Sequence, residues 1–189
     1  MRMPNATKYP LLAKRDIRLS GPVDQSMYHS FRQQLDACSQ TGTLVVALTT
    51  LGGDPEVART MADDIRLLED HDDREILFLG RVAVYSAGAT FMAAFPVDRR
   101  FLTRHTRLMI HERTIQKTIN LSGPLRMVVA SIKAALQEVE HSILIEEEGF
   151  RDIVKNSRVE FEDLREKAPT NWYIEAEQAC DLGLVLDVI

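Results

Sequence analysis

Residues 43–50, TLVVALTT, form an unbroken apolar run rich in β-branched side chains, and a second run, ILFLG, occupies 76–80. Continuous rather than alternating hydrophobicity marks strands covered on both faces, as in a parallel sheet. Parallel neighbours need a crossover, and residues 55–70, PEVARTMADDIRLLED, supply one. Val57, Met61, Ile65 and Leu68 share one helical face there, and Pro55 and Glu56 mark its first turn. This strand–helix–strand unit constrains the chain more than any other feature.

The flanking segments extend the same pattern. DIRLSGPV (16–23) reads as a short strand closed by a Gly-Pro turn. Asp24 then caps a helix whose face carries Met27, Phe31, Leu35 and Cys38. After 76–80 come an apolar helix, TFMAAF, stopped by Pro96, and two short strands, RRFLT and RLMIH. The alternation predicts an α/β fold of stacked units, and no repeat, low-complexity tract or linker divides residues 1–189.

Three glycine, serine and histidine positions fall at or just past strand ends, where ligands gather in such folds. These are Gly52-Gly53, Ser86 within VYSAGAT, and His111 closing RLMIH. A serine hydroxyl becomes a useful nucleophile when a base takes its proton, and histidine is the commonest such base. Of the five histidines, His29 and His141 fall on expected helices, His71 in a charged loop and His105 in a polar turn. His111 alone ends an apolar strand beside the serine unit. A glycine pair lets bare N–H groups approach a substrate carbonyl, so Gly53 and Ala87 are candidate oxyanion donors. The pair also suits a plain tight turn. It is no phosphate loop, because GxxxxGK[ST] and GxGxxG are both missing.

Composition narrows the function classes. The net charge of −5 argues against nucleic acid as a principal partner. Cys38 and Cys180 stand alone, without zinc-site or disulfide spacing. The first residues lack the apolar run of a signal peptide, and no stretch is long enough to span a bilayer. The expectation is a reduced, cytoplasmic protein with no membrane association, cofactor or metal.

IRLSGPVD, the strand before GGD, YSAG, LMIH and EAEQACDLGLVLDVI occur in the order found in the ClpP (caseinolytic protease) family, which the chain resembles from about Tyr9 to its end. Ser86 and His111 stand 25 positions apart, the spacing of that family. The resemblance implies a ClpP/crotonase-like fold of stacked β-β-α units with a protruding handle helix. It implies a serine endopeptidase acting on peptides or unfolded polypeptides, with Ser86 as nucleophile, His111 as base, and Gly53 and Ala87 as oxyanion amides. The stretch NWYIEAEQA puts Asn171 where the family's third triad member, usually aspartate, stands.

Asparagine can present its amide oxygen to the imidazole N–H but brings no charge, which predicts a slow or conditionally aligned enzyme. Asp163 and Glu166 are alternative carboxylates. HERT replaces the family's HQP after the histidine, and YSAG looks closer to signal-peptide peptidases of the same broad fold. Two rival readings stay open: a noncatalytic ClpP-like subunit, which Asn171 favours, and a crotonase-like acyl-CoA enzyme, for which no nucleotide site is visible.

Residues 122–149 read as one long helix starting at Ser122 or Gly123 with Pro124 in its first turn. Leu125, Val129, Ile132, Leu136, Val139 and Ile143 form a heptad-like seam, suited either to the chain's own core or to a partner helix. In the ClpP family the matching segment, here about 122–150, is the handle that joins stacked rings, so the resemblance implies a homo-oligomer. The short start, MRMPNATK, argues against the axial loop that family members offer an ATP-driven unfoldase.

Overall fold

The structure is a computed structural model that describes residues 8–39, 41–72 and 74–189. The amino-terminal stretch on which the unfoldase expectation rests therefore lies almost wholly outside the described residues.

Strand β1 (Ile17–Ser20), helix α1 (Gln25–Ala37), strand β2 (Leu44–Thr50) and helix α2 (Pro55–Asp72) follow the expected order. Strand β3 (Ile76–Tyr85), helix α3 (Ala87–Met92) and strands β4 (Arg100–Leu102) and β5 (Arg107–Ile110) come next. The chain ends with α4 (Leu125–Val154), α5 (Phe161–Lys167), β6 (Trp172–Glu175), α6 (Ala176–Asp181) and β7 (Asp187–Val188). Asp24 caps α1 by accepting the Met27 N–H at 2.9 Å. His71 lies in the last turn of α2 rather than in a loop.

The strands form one sheet in the order β1-β2-β3-β4-β7, with β5 joined to β3 and β6 to β5. All pairings are parallel except β5 with β6. The continuous hydrophobicity of β2 has the cause assigned to it. Leu44, Val46 and Leu48 join the main core with α1, α2 and α3, while Val45 and Ala47 pack on the opposite face with Leu12, Leu79 and Phe101. Arg100 ties the far side together: it is 2% exposed and donates to the carbonyls of Phe95, Ala93, Ile153 and Leu184. Burial pulls the Arg100 guanidinium down to about 10.

Strand β3 runs five residues past the expected 76–80. Leu48 pairs with Gly80 but Thr50 pairs with Val84, so β3 holds two extra residues there. Val82, at φ 61 and 67% exposed, sits in this irregularity. Such a bulge breaks the side-chain period and bends the strand, which is why 81–85 did not read as its continuation. Below the bulge β3 pairs with β4, and above it with β5. The bulge thus carries the chain from one neighbour to the next and delivers Ser86 beside β5.

Helix α4 begins at Leu125 with Pro124 as its cap, two or three residues later than expected. Pro124 at φ −58, ψ 135 is extended, so the proline stands outside the helix rather than within its first turn. Its buried residues are Ala135, Phe150, Ile153 and Val154. The seam is not core: Leu125, Val129, Ile132, Leu136, Val139 and Ile143 are 37–83% exposed. Among the described residues no helix is long and apolar enough to cross a membrane.

Candidate active site

Ser86 occupies the sharp turn between β3 and α3. Its backbone at φ 54, ψ −116 is a conformation that side chains other than glycine rarely adopt. Hydrogen bonds hold it there. The Ser86 N–H donates to the Met109 carbonyl of β5 at 2.7 Å, and its own carbonyl accepts from Ala89 and Thr90 at 2.8 and 3.2 Å. The small residues after it let α3 sit close to β2, since a Cβ on Gly88 would lie 2.5 Å from Thr50 Cγ2.

The glycine pair lies against this turn. A Cβ on Gly52 would lie 2.9 Å from Ser86 Cβ. Gly53 forms a parallel bridge with Val23: the Val23 N–H donates to the Gly52 carbonyl at 2.9 Å and the Asp54 N–H to the Val23 carbonyl at 2.7 Å. In that ladder the Gly53 N–H faces the other side. Among the described residues neither it nor the Ala87 N–H at the start of α3 has a hydrogen-bond acceptor. Gly53, Ser86, Ala87 and His111 line one cleft of about 500 Å³. Two unpaired amides beside one hydroxyl are suited to a developing oxyanion.

His111 follows β5 directly and is half-buried. Its Nδ1 faces the carbonyl oxygen of Glu112. A carbonyl only accepts, so Nδ1 carries the proton and Nε2 is left as the basic nitrogen. Among the described residues no hydrogen bond joins His111 to Ser86 or to Asn171.

Asn171, the candidate third member of the triad, stands across the sheet from the histidine. The antiparallel register pairs Ile110 with Trp172, which puts Asn171 one step beyond, opposite His111. It closes a 3₁₀ turn over Ala168–Thr170 at φ 59, is exposed, and does not line the cleft. Asp163 and Glu166 lie exposed on α5, also away from the cleft.

Three charged residues outside the set of sequence candidates for the site surround the histidine exit. The Arg113 guanidinium pairs with Glu56 on the first turn of α2, and the Arg113 N–H donates to Glu146 on α4. Arg113 holds the Glu56 carboxyl below its ordinary range, whereas burial pushes Glu146 up. Glu56 had been legible as a helix-start residue, and Arg113 as part of the HERT departure. Glu146 lay in a long helix with no local signal for it. The cleft as a whole is acidic, with seven carboxylates against three guanidinium groups.

The family model for Clp protease matches residues 4–189. The ATP-dependent Clp protease proteolytic subunit 3 of Rhizobium etli is 23% identical over 185 residues, covering 97% of this chain and 88% of that protein. The corresponding subunit 2 of Treponema pallidum is 24% identical over 187 residues, covering 94% and 83%. Among solved structures, an Asn-to-Asp mutant of ClpP1 from Listeria monocytogenes superposes with a TM-score of 0.71 at 21% identity, covering 95% of this chain and 93% of that one. The α/β architecture is thus that of ClpP, and the chain belongs to the Clp protease family.

Proposed function

We propose that the chain is a serine endopeptidase that cleaves peptides or unfolded polypeptides through an acyl-enzyme. Ser86 Oγ attacks the scissile carbonyl, His111 Nε2 takes its proton and returns it to the leaving amine, and water then releases the acyl group. The N–H groups of Gly53 and Ala87 receive the oxyanion. The carrying observation is that Ser86, His111 and two unpaired amides converge on one cleft. The Nδ1–H tautomer of His111 leaves the correct nitrogen as base.

The proposed enzyme works as a homo-oligomer of stacked rings in the cytoplasm, with α4 as the handle. The exposed seam on α4 supports this, since solvent is a poor environment for six aligned apolar side chains. A chamber so formed shields an unspecific peptidase from folded proteins. No cofactor takes part.

One observation favours a second reading, a noncatalytic ClpP-like subunit: Ser86 and His111 share the cleft without a hydrogen bond between them. Catalytic contacts often tighten only when substrate binds. A fluorophosphonate probe separates the two readings. Labelling that disappears in Ser86→Ala supports the peptidase; an assembled protein that takes no label supports the scaffold.

A further inference from the structure

We infer that Glu146 is a positioning residue for His111, acting through the Glu112–Arg113 peptide group in place of a triad aspartate. This rests on the proposed roles of Ser86 and His111. The two hydrogen bonds around the histidine exit belong to a single peptide unit. Its carbonyl, on Glu112, accepts the His111 Nδ1–H, and its N–H, on Arg113, donates to Glu146 Oε2. The line from imidazole to carboxylate is therefore unbroken: ring N–H, carbonyl, peptide N–H, carboxylate.

A peptide group transmits such an influence because it is conjugated. A negative charge at the N–H end increases electron density on the oxygen, which strengthens the bond that oxygen accepts. The carbonyl selects the Nδ1–H tautomer, and the carboxylate behind it favours the imidazolium that forms as Ser86 gives up its proton. Asn171, opposite His111 in the β5–β6 register, supplies neither.

The unit is also fixed in place from two sides. Glu146 holds it from α4, and the Arg113 side chain reaches Glu56 on α2. The charged groups around Glu146 are Glu112, Arg113 and Glu147, with Glu56 on the far side of Arg113. Burial raises the Glu146 carboxyl, while the hydrogen bond from the Arg113 N–H favours its charged form.

The test measures the second-order rate of Ser86 labelling by a fluorophosphonate across pH, with thermal melting as the control for folding. Glu146→Gln keeps the shape and removes the charge, and it is expected to slow labelling about tenfold, far less than the ~10⁴ lost when a directly bonded triad carboxylate is neutralised. The acidic limb of its rate profile moves to lower pH, because the base loses the charge that favoured its protonated form. Glu147→Gln removes a carboxylate one position along the same helix and leaves both rate and profile unchanged.

Asn171→Asp, which puts a carboxylate opposite His111, restores the rate in the Glu146→Gln background. A well-folded Glu146→Gln protein that labels within twofold of the parent, with an unmoved acidic limb, overturns the inference while leaving the peptidase standing. If Glu146→Gln fails to fold, Glu146→Asp serves instead: its shorter side chain breaks the bond to the Arg113 N–H, so slowed labelling with a moved limb upholds the inference, and labelling within twofold of the parent with an unmoved limb overturns it. Parent protein that shows no Ser86-dependent labelling overturns both.

Discussion

Ser86 shows a residue held in a conformation it would not choose. At φ 54, ψ −116 its Cβ is crowded by backbone, and Gly52 leaves room for it where any larger neighbour would collide. Residues in such regions cost about 1–3 kcal/mol and persist only where the surroundings hold them. Here the Met109 carbonyl and the first turn of α3 do so. Ser86→Gly is therefore expected to raise stability by about 1 kcal/mol, even after the added freedom of the unfolded chain, and to abolish probe labelling. Thermal melts of the two proteins check this, and a lower melting point for the glycine variant counts against the strain. Glu56 gives a second prediction at this scale. Arg113 depresses its carboxyl in the folded state, so the pair's stabilisation is present above the ordinary carboxylate range and is lost as pH falls through the depressed value. The Glu56 side chain is 54% exposed, which limits the pair to about 0.5 kcal/mol after solvent screening. The gap in melting temperature between the parent and Arg113→Met should be small near pH 7 and vanish in acid.

At the scale of elements, the sequence was most readable where burial was most uniform. Strand β2 declared itself because both of its faces are covered, and α1 and α2 because their apolar stripes face the sheet and their starts carry clear signals, the Asp24 cap and the Pro55–Glu56 first turn. The upper half of β3 was not readable, since two extra residues at Val82 cancel the period that marks a strand. The positions of Gly53, Ser86, Ala87 and His111 were legible because each stands at a strand end, a local property. The Glu112–Arg113 peptide group and its hold on Glu146 were not, because a backbone carbonyl leaves no trace in residue identity and Glu146 arrives from 33 positions away. Helix α4 lies between these cases: its seam could be read but not what covers it. With Ile132 46% and Leu136 55% exposed in the single chain, each loses little when replaced there. If the seam is the handle contact, Ile132→Glu with Leu136→Glu should raise the dissociation constant of the assembly by at least about tenfold per substitution, while the chain melts as before. Light scattering after gel filtration reads the first effect. Unchanged assembly would place the ring contact elsewhere.

At the scale of the whole molecule, charge and shape act on the same space. The chain carries −5 overall, and the cleft concentrates the excess, with Asp54, Glu112 and Glu148 at its edges adding to the carboxylates already paired with arginines. A cleft with low-dielectric walls focuses such a field and raises the local concentration of oppositely charged ligands. A peptide with lysine or arginine near the scissile bond should therefore react faster than an otherwise identical peptide with glutamate there, with the difference in kcat/KM rather than in kcat. Because most of these carboxylates face solvent, the preference should weaken steeply between low salt and about 0.5 M, where the Debye length falls to a few ångströms. Removing one of these charges by Glu148→Gln should reduce the preference without touching the Glu112–Arg113 peptide group. Equal rates for the two peptides at low ionic strength would mean that the arginines at the cleft, not its carboxylates, meet the substrate.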